Sequence, residues 1–312
     1  MASELVYTSA ERGLRPGTRG YCTVAHTRGL SPARLQILEA LSAYKSLFAL
    51  HDEQEADNPV SYSHHSSRLL GSSMSVLSRV SPSQADHTGR SNKLAHHVLL
   101  SSREYPPAGP LWLSQQEGFF FSSWQEEPRI FEQPKLIPQG SCTVLEKAQA
   151  WEELSGDAGH ASLLPAAFLA NPAQPVYVIY TIDMPVLQLL SESLALLPPQ
   201  KRWQVTYNSY FNRLPVGMSC MWRCCVANSE VLRELNKNSQ CRIVDLTAKL
   251  PPPGEGELCR LAREGGSMEN KKKDEAAGEE QGRSAKRRDF VLMPQRKINM
   301  LSLKPRSKED DL

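Results

Sequence analysis

Apolar positions along the chain change their spacing from one stretch to the next. Residues 5–9 (LVYTS) and 21–27 (YCTVAHT) are β-rich runs, and the Gly/Pro-rich ERGLRPGTRG between them predicts a two-strand opening. Ser31 then offers a helix cap and Pro32 suits the first helical position. In ARLQILEALSAYKSLF, Leu35, Leu38, Leu41 and Leu47 or Phe48 recur at three to four residues, which predicts an amphipathic helix running through Phe48. Polar HDEQEADNP reads as a loop. VSYSHHSSRLL and SSMSVLSRVS read as paired strands around Gly71, and SPSQADHTGRSN as a long polar turn before the strand KLAHHVLLSS. Pro106 to Pro110 closes this unit. Aromatic-rich LWLSQQEGFFFSSWQEEP reads as a segment lying over it, and EQPKLIPQGS as a linker.

A second unit begins near Glu146. KAQAWEELSGDAGHASLLPAAF suggests two helical stretches around Gly156 and Gly159, and VYVIYTI (176–182) has the composition of a strand buried on both faces. VLQLLSESLALL reads as a helix stopped by Pro198-Pro199. RWQVTYNSYF and CMWRCCV read as strands, SEVLRELNK as a helix capped by Ser229, and CRIVDLT as a last strand. The expected fold is therefore an α+β N-terminal domain (1–112), a covering segment and linker (113–145), and a smaller α/β domain with some parallel pairing (146–250). Beyond Pro251 the chain is dense in charge and poor in aromatics, so 251–312 is expected to be a disordered tail. Within it FVLMPQRKINMLSL is the one apolar patch, either a short binding motif or the remnant of a downstream domain. KRR at 286–288 is too short to count as a targeting signal.

Charge narrows the function classes. The net formal charge of +2 sits in the tail, because acidic and basic residues balance over 1–250. A neutral body lacks the basic face that nucleic acid demands, so no nucleic-acid partner is expected. The N-terminus has no signal-peptide pattern, and no stretch approaches the ~18 apolar residues of a membrane span, so the expected location is cytoplasmic with no membrane partner. Seven cysteines at irregular spacing disfavour a disulfide framework. Cys220, Cys224 and Cys225 have a C-x3-C spacing that is loose for zinc and lie in a strand-like run, so buried thiols are expected and no metal.

The run TGRSNKLAHHVLL (88–100) concentrates the candidate chemistry. His64, His65, His96 and His97 form adjacent pairs on two predicted strands, so each pair turns only one ring to a shared face. A general base is conceivable at His96 or His64 with Asp86, but no nucleophile motif accompanies them. Gly89, Arg90, Asn92 and Lys93 offer donors, but the phosphate-loop spacing is missing. The structural reading is a Gly89 turn tied by Ser91 or Asn92, leading into a strand with one histidine inward. Polar groups in a long loop before a buried strand are nonetheless where folds place binding residues.

Several ordered segments resemble a known family. VYTSAERGL, GTRGYCTVAHT, NPVSYSH, VLSRV, DHTGRSNKLAHHVLL and AGPLWL are similar to the N-terminal domain, second type, of GTPase-associated protein one. PPQKRWQVTYNSYFNRLPVGMSCMWRCC and IVDLT resemble the region that continues such proteins. The resemblance spans roughly residues 3 to 250 and is strongest over the first 112. It implies an adaptor or regulatory component of a bacterial conflict system encoded near GTPases, with a protein partner, a GTPase among the candidates. It carries over no catalytic residue and no cofactor. The shared segments include Tyr7, Thr8, Arg12, Gly13, Gly20, Tyr62, Ser63, Gly89, Arg90, Asn92, Lys93 and His96. Arg12, Tyr62, Gly89, Arg90, Asn92 and Lys93 are the expected binding residues. The alternative expectation is a hydrolase of a phosphorylated or nucleotide-like ligand, using His96, Asp86 and His64 with Arg90.

Overall fold

The structure is a computed structural model that describes residues 1–66, 74–141, 145–235 and 241–266. Among these residues one ten-stranded sheet runs through both expected domains. Its strands are β1 (Ser3–Ala10), β2 (Gly20–Thr27), β3 (Ser61–Ser66), β4 (Met74–Ser83), β5 (Asn92–Ser101), β6 (Arg129–Phe131), β7 (Val176–Tyr180), β8 (Tyr207–Asn208), β9 (Trp222–Val226) and β10 (Arg242–Asp245). The spatial order is β10-β7-β9-β8-β3-β4-β5-β1-β2-β6.

The sheet changes character along its width. From β3 to β2 every pairing is antiparallel, as hairpin-forming runs with short turns favour. From β8 to β10 every pairing is parallel, β7 reaching β8 through α5 and α6, β9 reaching β10 through α7, and β8 reaching β9 through the loop 209–221. The two regimes meet at β3 and β8, which exchange only two registered pairs, Ser63 with Asn208 and His64 with Tyr207. The expected second domain is thus built on the same sheet as the first.

Helices and a long covering segment bury both faces. Helix α1 (Pro32–Leu41) lays Leu35 and Leu38 on Leu5, Val76 and Leu99. It ends seven residues before the expected Phe48. Ser42 turns its hydroxyl back to the Leu38 carbonyl, and Asn58 Oδ1 takes the N–H groups of Leu47 and Phe48 into a loop. On the opposite face lie α2 (Pro110–Ser114) and the chain after it, where Leu113 and Phe119 pack on Leu77, Val98 and Leu100. Phe121 packs with Val6, Val24 and Leu94. This segment then adds β6 as a parallel edge strand beside β2.

In the second region α3 (Gln149–Ser155), α4 (Leu163–Ala170) and α5 (Val186–Ala195) cover one face of the parallel strands around Trp151, Val178 and Trp222. The other face carries Tyr177 and Cys225 against Phe211 and α7 (Glu230–Leu235). Three expectations change here. RWQVTYNSYF yields only the two-residue β8, because turns at Gln204–Val205 and the Asn208 side chain claim its flanks. Ser229 does not cap α7, for its buried hydroxyl has no partner among the described residues. The chain also does not leave the fold at Pro251. Helix α8 (Glu257–Glu264) buries Cys259, Leu261 and Ala262 against the 158–162 turn, with a bidentate Arg263–Asp157 pair at 2.8 and 2.6 Å. The rest of the expected tail, the 290–303 patch and KRR lie outside the described residues, as does Gly71.

The seam between the regions is reinforced off the sheet. Helix α6 (Pro199–Arg202) delivers Arg202, which is 4% exposed and donates to the carbonyls of Leu197, Ala195 and Ala108. Trp203 donates to the Pro106 carbonyl and stacks on Tyr105 at 4.0 Å.

Candidate functional site

The paired histidines are all interior, because the sheet that carries them is covered on both faces. The expectation that one ring of each pair turns inward is therefore corrected: His64, His65, His96 and His97 are each at most 1% exposed. His64 and His96 face the covering segment; His65 and His97 face α1. The strand register puts His64 opposite Leu77 and His96 opposite Arg79, so β4 separates them by two strand spacings, about 10 Å.

Each ring is held by fixed partners that also fix its tautomer. His64 Nδ1–H donates to the Val205 carbonyl (2.7 Å), leaving Nε2 to accept from Ser75, whose oxygen accepts from Tyr105. His96 Nδ1 accepts from the Phe121 N–H (3.0 Å), so Nε2–H donates to Glu4 (2.9 Å). The Ser42 hydroxyl points to Leu38, so His97 Nε2–H donates to Ser42 and Nδ1 accepts from Ser78. Burial holds all four neutral: it pushes His64 and His97 down to about 3, His65 down to about 4, and His96 downward despite Glu4. Glu4 is shared with Lys135 Nζ at 3.0 Å, and Lys135 lies over Phe119 and Phe121. Burial raises the Glu4 carboxyl, but the His96 hydrogen bond and the Lys135 charge outweigh it and hold the acid below its ordinary range. Glu4, His96 and Lys135 thus fasten the covering segment to β1 and β5. Neither Glu4 nor Lys135 was expected from the sequence; a lone acid inside an otherwise apolar strand is the trace it left.

Asp86 belongs to a different place, the turn before β5. Its Oδ1 accepts from the Thr88 hydroxyl (2.6 Å), Thr88 N–H (2.8 Å) and Arg90 N–H (3.1 Å), and its Oδ2 from Ser9 Oγ (2.9 Å). These bonds, that from the Thr88 hydroxyl foremost, hold its carboxyl far below the usual range. Gly89 has φ +76° with open space where a Cβ would stand, so conformation alone asks for glycine there. Asn92 Oδ1 accepts from the N–H groups of Ser9 and Lys93 and ties the turn to β1. The expected catalytic set His96, Asp86 and His64 is therefore not gathered round one hollow: two are locked inside the sheet and the third organises a turn.

The expected binding set also divides. Arg90 stands 73% exposed, its Nε bonded to Thr88. Arg12 pairs with Glu127 of the covering segment at 3.0 Å. Lys93 reaches over the stacked rings of Tyr7 and Tyr21, at 5.8 and 5.0 Å. Tyr62 sits on the other face beside Phe120. Arg90 and Lys93 thus lie by the turn; Arg12 is held by the covering segment, Tyr62 lies on the other face, and Gly89 and Asn92 serve the turn itself. Cys220, Cys224 and Cys225 are buried, and burial pushes the thiols of Cys220 and Cys225 up to about 12 and holds that of Cys224 well above its ordinary value, which makes them inert. Among the described residues no three His, Cys, Asp or Glu side chains converge as metal ligands. No helix among them is long and apolar enough to cross a membrane.

Comparison with known proteins agrees with this division of the sheet. No curated protein and no solved structure matches the chain. Two family models do: GTPase-associated protein 1, N-terminal domain type 2, over residues 1–136, and GTPase-associated protein 1, middle domain, over residues 148–248. The first span takes in the antiparallel strands together with the covering segment and β6, and the second takes in the parallel strands with α3 to α7. With both domains present in order, the chain belongs to the GTPase-associated protein 1 family.

Proposed function

We propose that the protein is a non-enzymatic adaptor or regulatory component of a GTPase-associated system, acting by contact with another protein, a GTPase being the first candidate, in bacterial conflict or defence. The observation that supports this reading is the state of the histidines. Each ring is neutral and buried, and His64, His96 and His97 have both nitrogens engaged by groups of the fold. A general base needs a free lone pair within reach of substrate, and the rings of His64, His96 and His97 offer none. The hydrolase alternative through His96, Asp86 and Arg90 draws no support from such an arrangement.

What faces solvent is a rim of rigidly mounted polar groups. The Asp86 turn holds Arg90 outward, and Arg12 stands exposed on the turn after β1, each suited to charge-assisted bonds at the polar edge of an interface. The test is affinity capture with the tagged full chain against Arg12→Glu/Arg90→Glu. The expected result is loss of a co-captured GTPase from the double variant, with an unchanged melting curve. Equal recovery by both chains overturns the reading.

A further inference from the structure

Three neighbouring strands bring Tyr7 of β1, Tyr21 of β2 and Lys93 of β5 together at one end of the sheet. The tyrosine rings lie parallel, with 4° between their planes and 6.4 Å between centroids. Lys93 Nζ stands 5.8 Å from the Tyr7 ring and 5.0 Å from the Tyr21 ring. We propose that Tyr21, Lys93, Arg90 and Arg213 form the surface that receives an acidic segment of the partner protein. Carboxylates of the segment meet the cations, and one of its apolar side chains meets the Tyr21 ring. This assignment rests on the adaptor reading and adds the chemistry of the partner.

The central cation is uncompensated. Lys93 is half-buried, and among the described residues its ammonium makes no ion pair and no hydrogen bond, only the two ring contacts. Burial, and then the charge of Arg213, lower its hold on a proton. Arg213 is exposed on the loop after Phe211 and also forms no ion pair among the described residues. A cation drawn partly out of water without a carboxylate costs stability, and the ring faces return only part of it.

The acids of the neighbourhood are committed elsewhere. Asp86 is taken up by Thr88, the Arg90 N–H and Ser9, and Glu39 of α1 accepts from Thr23 at 2.6 Å. Arg90 stands 73% exposed, and among the described residues its side chain bonds through Nε alone. The rest of its fork faces outward, in the geometry that grips a carboxylate with two bonds. Its charge is felt at the Tyr21 hydroxyl, so it flanks the same ring that Lys93 covers.

The aromatic centre is set before any partner arrives. Tyr21 is 47% exposed, yet its hydroxyl donates to the Ser91 carbonyl at 2.9 Å, and the Tyr7 hydroxyl donates to the Tyr21 carbonyl at 3.2 Å. A large ring already fixed loses little freedom on contact, which suits it to anchor an interface. An exposed, rigid tyrosine flanked by cations that lack carboxylates is the positive half of a complementary pair.

Fluorescence anisotropy of the full chain with a labelled peptide Asp-Glu-Phe-Glu-Asp, at low ionic strength, tests this. The amide peptide Asn-Gln-Phe-Gln-Asn and a single-stranded thymidine oligonucleotide are the controls. The expected result is saturable binding of the acidic peptide that weakens with salt, and binding of both controls weaker by about tenfold or more. Lys93→Met keeps the stem over the rings and removes the charge. It is expected to melt no lower than the wild type and to lose about tenfold in affinity. Arg213→Gln, at an exposed position, is expected to melt like the wild type and to lose about threefold. Equal binding of the amide peptide, tighter binding of the oligonucleotide, or wild-type affinity in both variants overturns the proposal. If the acidic peptide does not bind while Arg12→Glu/Arg90→Glu still loses the co-captured GTPase, the acidic chemistry falls and the adaptor reading stands.

Discussion

The antiparallel and parallel regions of the one sheet bury different chemistry. The antiparallel strands place four neutral histidines and several serines between α1 and the covering segment. The parallel strands bury thiols, Tyr207 and Trp222 between their helices. Both interiors are buried, yet each resists a different proton change. A buried imidazole must not gain a proton, and a buried thiol must not lose one. The two regions are thus expected to fail at opposite ends of the pH scale.

Acid has the largest expected effect. The folded pKa values of His64, His65 and His97 lie at about 3, 4 and 3, below the ordinary value near 6.5. The unfolded chain therefore binds more protons as pH falls below ~6.5, and stability present above that value is lost on descent toward about 4. Each histidine contributes about 1.4 kcal/mol per pH unit, so the three cost about 4 kcal/mol per unit, comparable with a whole domain's stability of ~5–15 kcal/mol. Glu4 adds in the same direction, since its depressed carboxyl is protonated only on unfolding. Thermal melts at pH 7.5 and 5.5, followed by near-ultraviolet circular dichroism, are expected to differ by well over 10 °C. The thiols have the opposite sign: folded values raised to about 12 give stability that is complete below ~9 and lost as pH rises toward 12. A melt that is flat from pH 5 to 8 would remove the contrast between the regions.

The seam gives the next largest effect. Only two residue pairs join the regions on the sheet, and Arg202 adds a buried bond across the seam to Ala108 while tying itself to Ala195 and Leu197 in the second region. Arg202→Met keeps the stem and leaves those carbonyls short of donors, at a cost of about 2–4 kcal/mol. The sharper readout is cooperativity. If the seam couples the regions, urea unfolding of the wild type is a single transition and that of Arg202→Met splits in two. A single unshifted transition in the variant places the coupling in the shared sheet alone.

How far the sequence shows these regions follows from what its spacing encodes. The hairpin β1–β2, the histidine strands and the buried β7 stand out because their apolar runs are long. Residues 129–131 (RIF) do not, since a three-residue edge strand is defined by its neighbour β2 and not by its own pattern. The one-sided histidine expectation failed because alternation assumes a sheet with one wet face, and the segment after α2 removes it. The pairing of β3 with β8 was beyond reach, for Ser63 and Asn208 lie far apart in the chain and belong to different expected domains. Helix α8 was legible and overlooked: Leu258, Leu261 and Ala262 recur at helical spacing inside a stretch dominated by its charge.

The smallest expected effect lies in α8, where an apolar stripe and an ion pair both hold the helix. Leu261 is 4% exposed and packs into the second region's core, so Leu261→Ala is expected to cost about 2–3 kcal/mol. Arg263 and Asp157 make two short bonds, but their side chains are 43% and 31% exposed, where screening and side-chain entropy leave about 0–1 kcal/mol. Arg263→Ala should therefore move the urea midpoint only slightly, and less still in 0.5 M salt. The reverse order, a large loss in Arg263→Ala and a small one in Leu261→Ala, would mean that charge and not burial fixes this helix, and that the charged composition of the region was the better guide to its structure.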